Sequence, residues 1–128
     1  RHLHLRAFTG RPAAIGGHLA GHAVNPASQA TLSAIPMLTL AASYAQGPAY
    51  AYAEAFGEAA RQVYGPELAA RLTADLGALQ DAGLGDLSEA RRARLRDRYA
   101  AFDHPAAHEV LGWLDGAYAV TGEDIQTQ

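Results

Sequence analysis

From residue 12 to residue 53 the chain carries no Asp, Glu, Lys or Arg. The only His in this stretch are His18 and His22, and all 10 Arg and 13 acidic residues fall outside it. Charged side chains cost least at the surface, so a water-exposed segment normally carries some. A third of the chain without any is therefore expected to be shielded inside the fold, against a partner or around a ligand.

The totals narrow the classes. At 128 residues the chain has the length of one domain, read here as a single unit with an extended arm over 1–10 and a polar tail over 121–128. The formal net charge of −3 gives no electrostatic basis for nucleic-acid binding. Arg supplies every basic side chain and Ala is abundant, the bias of a high-GC bacterial genome. Absence of Cys excludes disulfides, thiolate metal sites and Cys nucleophiles. No charged-then-apolar export signal is visible, which points to the cytoplasm, and the start at Arg1 rather than Met is that expected of a processed product or an excised domain. Ser28, Gln29, Thr31, Ser33, Thr39, Ser43 and Tyr44 interrupt the uncharged stretch, so no membrane span is expected.

Helix punctuation is dense. Asn25-Pro26, Gly47-Pro48, Gly65-Pro66 and His104-Pro105 each put Pro where a helix can begin. Gly before Pro reads as one helix stopping in a left-handed residue and the next starting. Asp86 and Glu89 read as the two ends of a capping box. The expected helices run over 12–24, 26–46, 48–64, 66–82, 87–102 and 105–119, the first weakened by Gly16, Gly17 and Gly21. Residues 1–6, Arg1 to Arg6, alternate with period two, that of an extended arm or short strand.

Apolar residues recur at helical spacing in most of these segments. Tyr52, Phe56, Ala60 and Val63 form one stripe, and Leu68, Leu72, Leu76 and Leu79 the next. Leu95, Tyr99 and Phe102, then Val110, Leu111, Leu114 and Tyr118, follow the same rule. The segment 26–46 differs, because its apolar residues surround the axis, as in a central helix. Pro36 within it removes a backbone donor and frees the carbonyl of Leu32, which implies a kink. The fold is thus expected to be all-α, a compact bundle of five to six antiparallel helices around an apolar, Pro-kinked central one.

Three features could carry chemistry. His18 and His22, and His104 and His108, are spaced by four, which on a helix puts two rings on one face about 6 Å apart at Cβ. Such pairs can ligate zinc or iron or bracket a haem, with Asp115 on the same flank as the second pair. Tyr44, Tyr50 and Tyr52 lie in uncharged sequence close to Met37, and with Trp113 they can line an apolar cavity while offering hydroxyls. Arg91, Arg92, Arg94, Arg96 and Arg98 spread around one helix and read as a solvated face paired with the acidic residues that follow.

Other scaffolds are missing. There is no Gly-x-Ser-x-Gly elbow, no phosphate-binding glycine loop and no Lys for Schiff-base chemistry. Arg11-Pro12, Gly17-His18 and Arg98 ahead of His104 look like pieces of the motifs of acid phosphatases of the phosphatidic-acid-phosphatase and vanadium-haloperoxidase type. The Pro-Ser-Gly-His signature is absent, His4 stands where that pattern has Lys and His108 where it has Asp, so no family is assigned.

The leading expectation is a helical domain that binds a small apolar or aromatic molecule beside the kinked helix, with Met37, Tyr44, Tyr50, Tyr52 and Trp113 in the wall. One alternative is a metal- or haem-dependent enzyme using His18, His22, His104 and His108. The other is an interaction module in which the uncharged segment forms a homo-oligomer interface.

Overall fold

The computed structural model describes residues 2–119, so the expected tail over 121–128 lies outside the described residues. Among these, all regular structure is helical and no strand occurs. The helices are α1 (Ala34–Gln46), α2 (Tyr52–Leu76), α3 (Glu89–Ala100) and α4 (Pro105–Leu114). Single 3-10 segments fall at Ala13–His18, Gly47–Ala49 and Leu84–Asp86. No described helix is long and apolar enough to cross a membrane.

The punctuation acts as expected at Gly65-Pro66 and His104-Pro105, but no helix begins at Asn25-Pro26, α1 starting only at Ala34, and Gly47-Pro48 opens a single 3-10 turn before α2 starts at Tyr52. Gly65 adopts φ 75° and ψ 165°, and this one residue splits α2 into two arms, with Pro66 opening the second. At its far end α2 loosens into a π turn over Gly77–Ala82, closed by Gly83 at φ 74°. Helix α3 is capped by Ser88 rather than Asp86: the Ser88 Oγ accepts the Arg91 N–H at 3.3 Å. Asp86 belongs instead to the preceding 3-10 turn. His104 caps α4, its Nδ1 accepting the Ala106 N–H at 3.1 Å, and Pro105 follows as the first helical residue.

The expected helix over 12–24 does not form. One 3-10 segment survives, and residues beyond His18 are irregular. Gly16, Gly17 and Gly21 gain too little from helical hydrogen bonds to offset their backbone freedom.

The core is built from the amphipathic helices and the arm. Leu68, Leu72, Leu79, Leu95, Tyr99, Val110 and Leu114 are all buried. Leu3, Leu5 and Ala7 join them, while His2, His4 and Arg6 between them face out, so the period-two alternation is that of an extended strap. Burying each of these Leu side chains contributes about 2 kcal/mol. The strap is fastened to the π turn. The Leu3 N–H donates to Leu79 O at 3.1 Å, and the Gln80 side-chain oxygen accepts from Leu5 and Arg6 N–H at 2.9 and 3.1 Å. Helix α1 lies against α2, and α3 against α4.

Helix α1 is not surrounded on every side. It buries only Ile35, Thr39 and Ser43, while Met37 and Leu38 remain exposed. Its regular part begins at Ala34, so Pro36 stands in the first turn, where a missing N–H costs least. The carbonyl of Leu32 freed by Pro36 does find a partner, the Tyr64 hydroxyl at 3.1 Å. The same hydroxyl lies 3.0 Å from Thr31 O. The Glu109 carboxylate accepts both Thr31 and Leu32 N–H at 2.8 Å. Two side chains from distant helices thus satisfy the turn that launches α1.

The expectation that the uncharged stretch is shielded is overturned for the isolated chain. Within residues 12–53 only Gln29, Leu32, Ser33, Ile35, Thr39 and Ser43 are buried, and residues 12–28 include none. The buried hydroxyls bond backbone: Thr39 Oγ1 donates to Ile35 O at 2.7 Å and accepts from Phe8 N–H at 2.8 Å, and Ser43 Oγ donates to Leu40 O at 2.7 Å. They meet the packed interior as small polar groups with local partners, which requires no charge.

Candidate functional site

The glycine-rich segment folds back on α1 and leaves a cleft of about 440 Å3 between them. One wall comes from Gly16, Leu19, Gly21 and His22. The other is one face of α1: Met37, Leu40, Ala41 and Tyr44, at the three-and-four spacing of a single helical flank. A cleft of this size and make-up, apolar with few polar groups, is the usual form of a small-molecule site.

The polar groups are a pair. His22 Nδ1 lies 2.8 Å from the Tyr44 hydroxyl. The two rings meet edge to face, with centroids 5.8 Å apart and planes at 89°. On its other side His22 packs against Phe8, centroids 5.5 Å apart at 73°. Phe8 is held by its own backbone, since its N–H reaches Thr39 and its carbonyl accepts the Tyr50 hydroxyl at 2.9 Å. Gly16 lets Tyr44 come close: a Cβ there would stand 3.2 Å from Tyr44 Cε1.

Of the residues expected to line a ligand site, Met37 and Tyr44 share this cleft. Tyr50 does not line it: its hydroxyl donates to the Phe8 carbonyl, and burial pushes that hydroxyl above the ordinary phenol value. Tyr52 is exposed and borders a separate groove with Arg6 and Pro36. Trp113 is buried in α4, its Nε1 without a partner among the described residues, and it lines a second groove that shares Met37 as a common ridge. The sequence marks none of Leu19, Leu40 and Gly16 as a wall residue, since a close approach by Gly to an aromatic ring leaves no periodic signal.

The paired His make separate contacts. His18 is exposed at the end of its 3-10 segment, while His22 is tied to Tyr44, because the helix that would align them does not form in this glycine-rich stretch. His104 spends Nδ1 on the cap and packs its ring on Tyr64, centroids 5.8 Å apart. His108 is exposed, its Nε2 3.8 Å from Asp103. Asp115 turns to Arg96, 2.7 Å away, which is the α3-to-α4 pairing expected of the Arg-rich helix. Arg98 instead reaches Asp75 on α2, a buried acid that also accepts the Tyr99 hydroxyl at 3.2 Å. Among the described residues no group of three or more His, Asp or Glu is placed to hold a metal ion.

Comparison with protein-family models, with curated proteins and with solved structures finds no match for this chain.

Proposed function

We propose that this chain binds a small, largely apolar or aromatic molecule in the cleft between residues 16–22 and α1. The observation that carries the reading is the lining itself: Leu19, Met37, Leu40 and Ala41 surround one hydrogen-bonded pair, His22 and Tyr44. Apolar walls favour entry of an apolar body, roughly 25 cal/mol for each Å2 removed from water. The test is titration with the apolar fluorophore N-phenyl-1-naphthylamine. Emission is expected to rise on binding, to be lost in Met37→Glu and to persist in Leu38→Glu, which places the same charge on α1 outside the cleft. No rise with the unaltered protein, or equal loss in both variants, refutes the proposal.

A second reading has its own support. Five of the exposed large hydrophobics, Leu19, Val24, Met37, Leu38 and Tyr52, fall in the uncharged segment. An apolar surface without charges suits burial against a second copy. Sedimentation velocity at micromolar concentration decides it: a monomer throughout rejects self-association, and a dimer lost in Leu38→Glu supports it.

A further inference from the structure

We infer that the molecule taken by the cleft is uncharged and carries a hydrogen-bond acceptor, a carbonyl oxygen on an aromatic or apolar frame. This rests on the proposed small-molecule function and adds the chemistry of the ligand to it.

The acceptor follows from counting donors on the His22–Tyr44 pair. Their one hydrogen bond uses Nδ1 and the phenol oxygen, and neither His22 Nε2 nor the Tyr44 hydroxyl has another partner among the described residues. Suppose the phenol donates to Nδ1. The neutral ring then carries its proton on Nε2, which remains a free donor. Suppose instead Nδ1–H donates to the phenol oxygen. The phenol proton is then free. In the protonated ring both remain. Every arrangement leaves at least one N–H or O–H without an acceptor among the described residues. A ligand that removes water from the pair must replace that acceptor or leave a donor unsatisfied.

The neutrality follows from the walls. Every residue lining the cleft falls within the uncharged stretch of the chain. Among the described residues no Arg borders it to balance an anion and no Asp or Glu to balance a cation, and the His22 ring in its neutral form supplies no charge. A charged ligand would lose hydration there without a fixed opposite charge. A carbonyl accepts one hydrogen bond at much smaller desolvation cost.

The experiment compares acetophenone, ethylbenzene and benzoate, which share a phenyl ring and differ in the acceptor and the charge. Affinities are measured by NMR titration on the unaltered protein and on the double variant His22→Phe with Tyr44→Phe, which keeps both ring bodies. Comparing losses within each probe removes differences in intrinsic hydrophobicity. Acetophenone is expected to lose about fivefold to tenfold in the variant and ethylbenzene less than twofold. Benzoate is expected to bind the unaltered protein more weakly than acetophenone. In the unaltered protein acetophenone should also shift the His22 ring or Tyr44 hydroxyl resonances, a readout independent of how the variant folds. Equal losses for acetophenone and ethylbenzene, with those resonances unmoved, overturn the acceptor while leaving cleft binding intact. Benzoate binding as tightly as acetophenone overturns the neutrality. No binding by any of the three overturns this inference and the proposed function together.

Discussion

Glu109 on α4 holds the start of α1 from across the fold, and its removal should be costly. Each carboxylate oxygen accepts one backbone N–H, from Thr31 and Leu32, both at 2.8 Å. Ala at this position removes the acceptor of both donors. A hydrogen bond to a charged group contributes about 1.5–3 kcal/mol. Glu109 is only half-buried, so water recovers part of that loss. The expected net cost of Glu109→Ala is about 3 kcal/mol. At roughly 4 °C per kcal/mol for a domain of this size, Tm falls by about 12 °C. Gln keeps one acceptor oxygen, so Glu109→Gln should lose about half as much. Tyr64→Phe frees the Leu32 and Thr31 carbonyls in the same turn, and a double-mutant cycle with Glu109→Gln should show coupling. Thermal unfolding at pH 7, followed by circular dichroism, reads each variant. Glu109→Ala within about 0.5 kcal/mol of the unaltered protein would refute the idea that this carboxylate anchors the turn.

The remaining predictions concern pH and glycine. Burial pushes both Tyr64 and Tyr99 above the ordinary phenol value of 10.0, with the nearby Glu109 and Asp75 charges adding to it. The unfolded chain therefore releases these protons first, so stability is retained below about pH 10 and falls above it by about 1.4 kcal/mol per pH unit for each group; urea titrations from pH 8 to 11 should show the decline, shallower in Tyr99→Phe. Gly65→Ala places a side chain at φ 75° and ψ 165°, and should destabilise by about 1–3 kcal/mol in a chemical melt. Gly16→Ala pushes on Tyr44 from 3.2 Å and should weaken fluorophore binding several-fold while moving Tm by under about 3 °C.

Much of the local architecture is legible from residues alone. Gly65-Pro66, His104-Pro105 and the Leu spacing over 68–79 act through neighbours a few positions away, and the structure places breaks, caps and buried faces there. The strap is equally legible, since alternation of Leu3, Leu5 and Ala7 with polar residues leaves one inward face. The candidate site is legible only in part. Met37 and Tyr44 were visible as apolar and aromatic residues near Pro36, but their meeting with His22 was not, because spacing-four His pairs point to a helix that Gly16, Gly17 and Gly21 prevent.

Residue chemistry and short-range geometry thus determine that the chain is helical and where most of its helices stop. What lies inside is decided by the tertiary structure, since burial depends on which distant faces come together. The uncharged stretch remains largely at the surface because the amphipathic helices and the strap already fill the core. The carbonyl freed by Pro36 is implied by one residue, but that Tyr64 receives it, and that Glu109 takes the neighbouring N–H groups, depends on contacts 32 and 77 positions apart in the chain. No local rule reaches across such separations, because closing them rests on the packing of the whole fold.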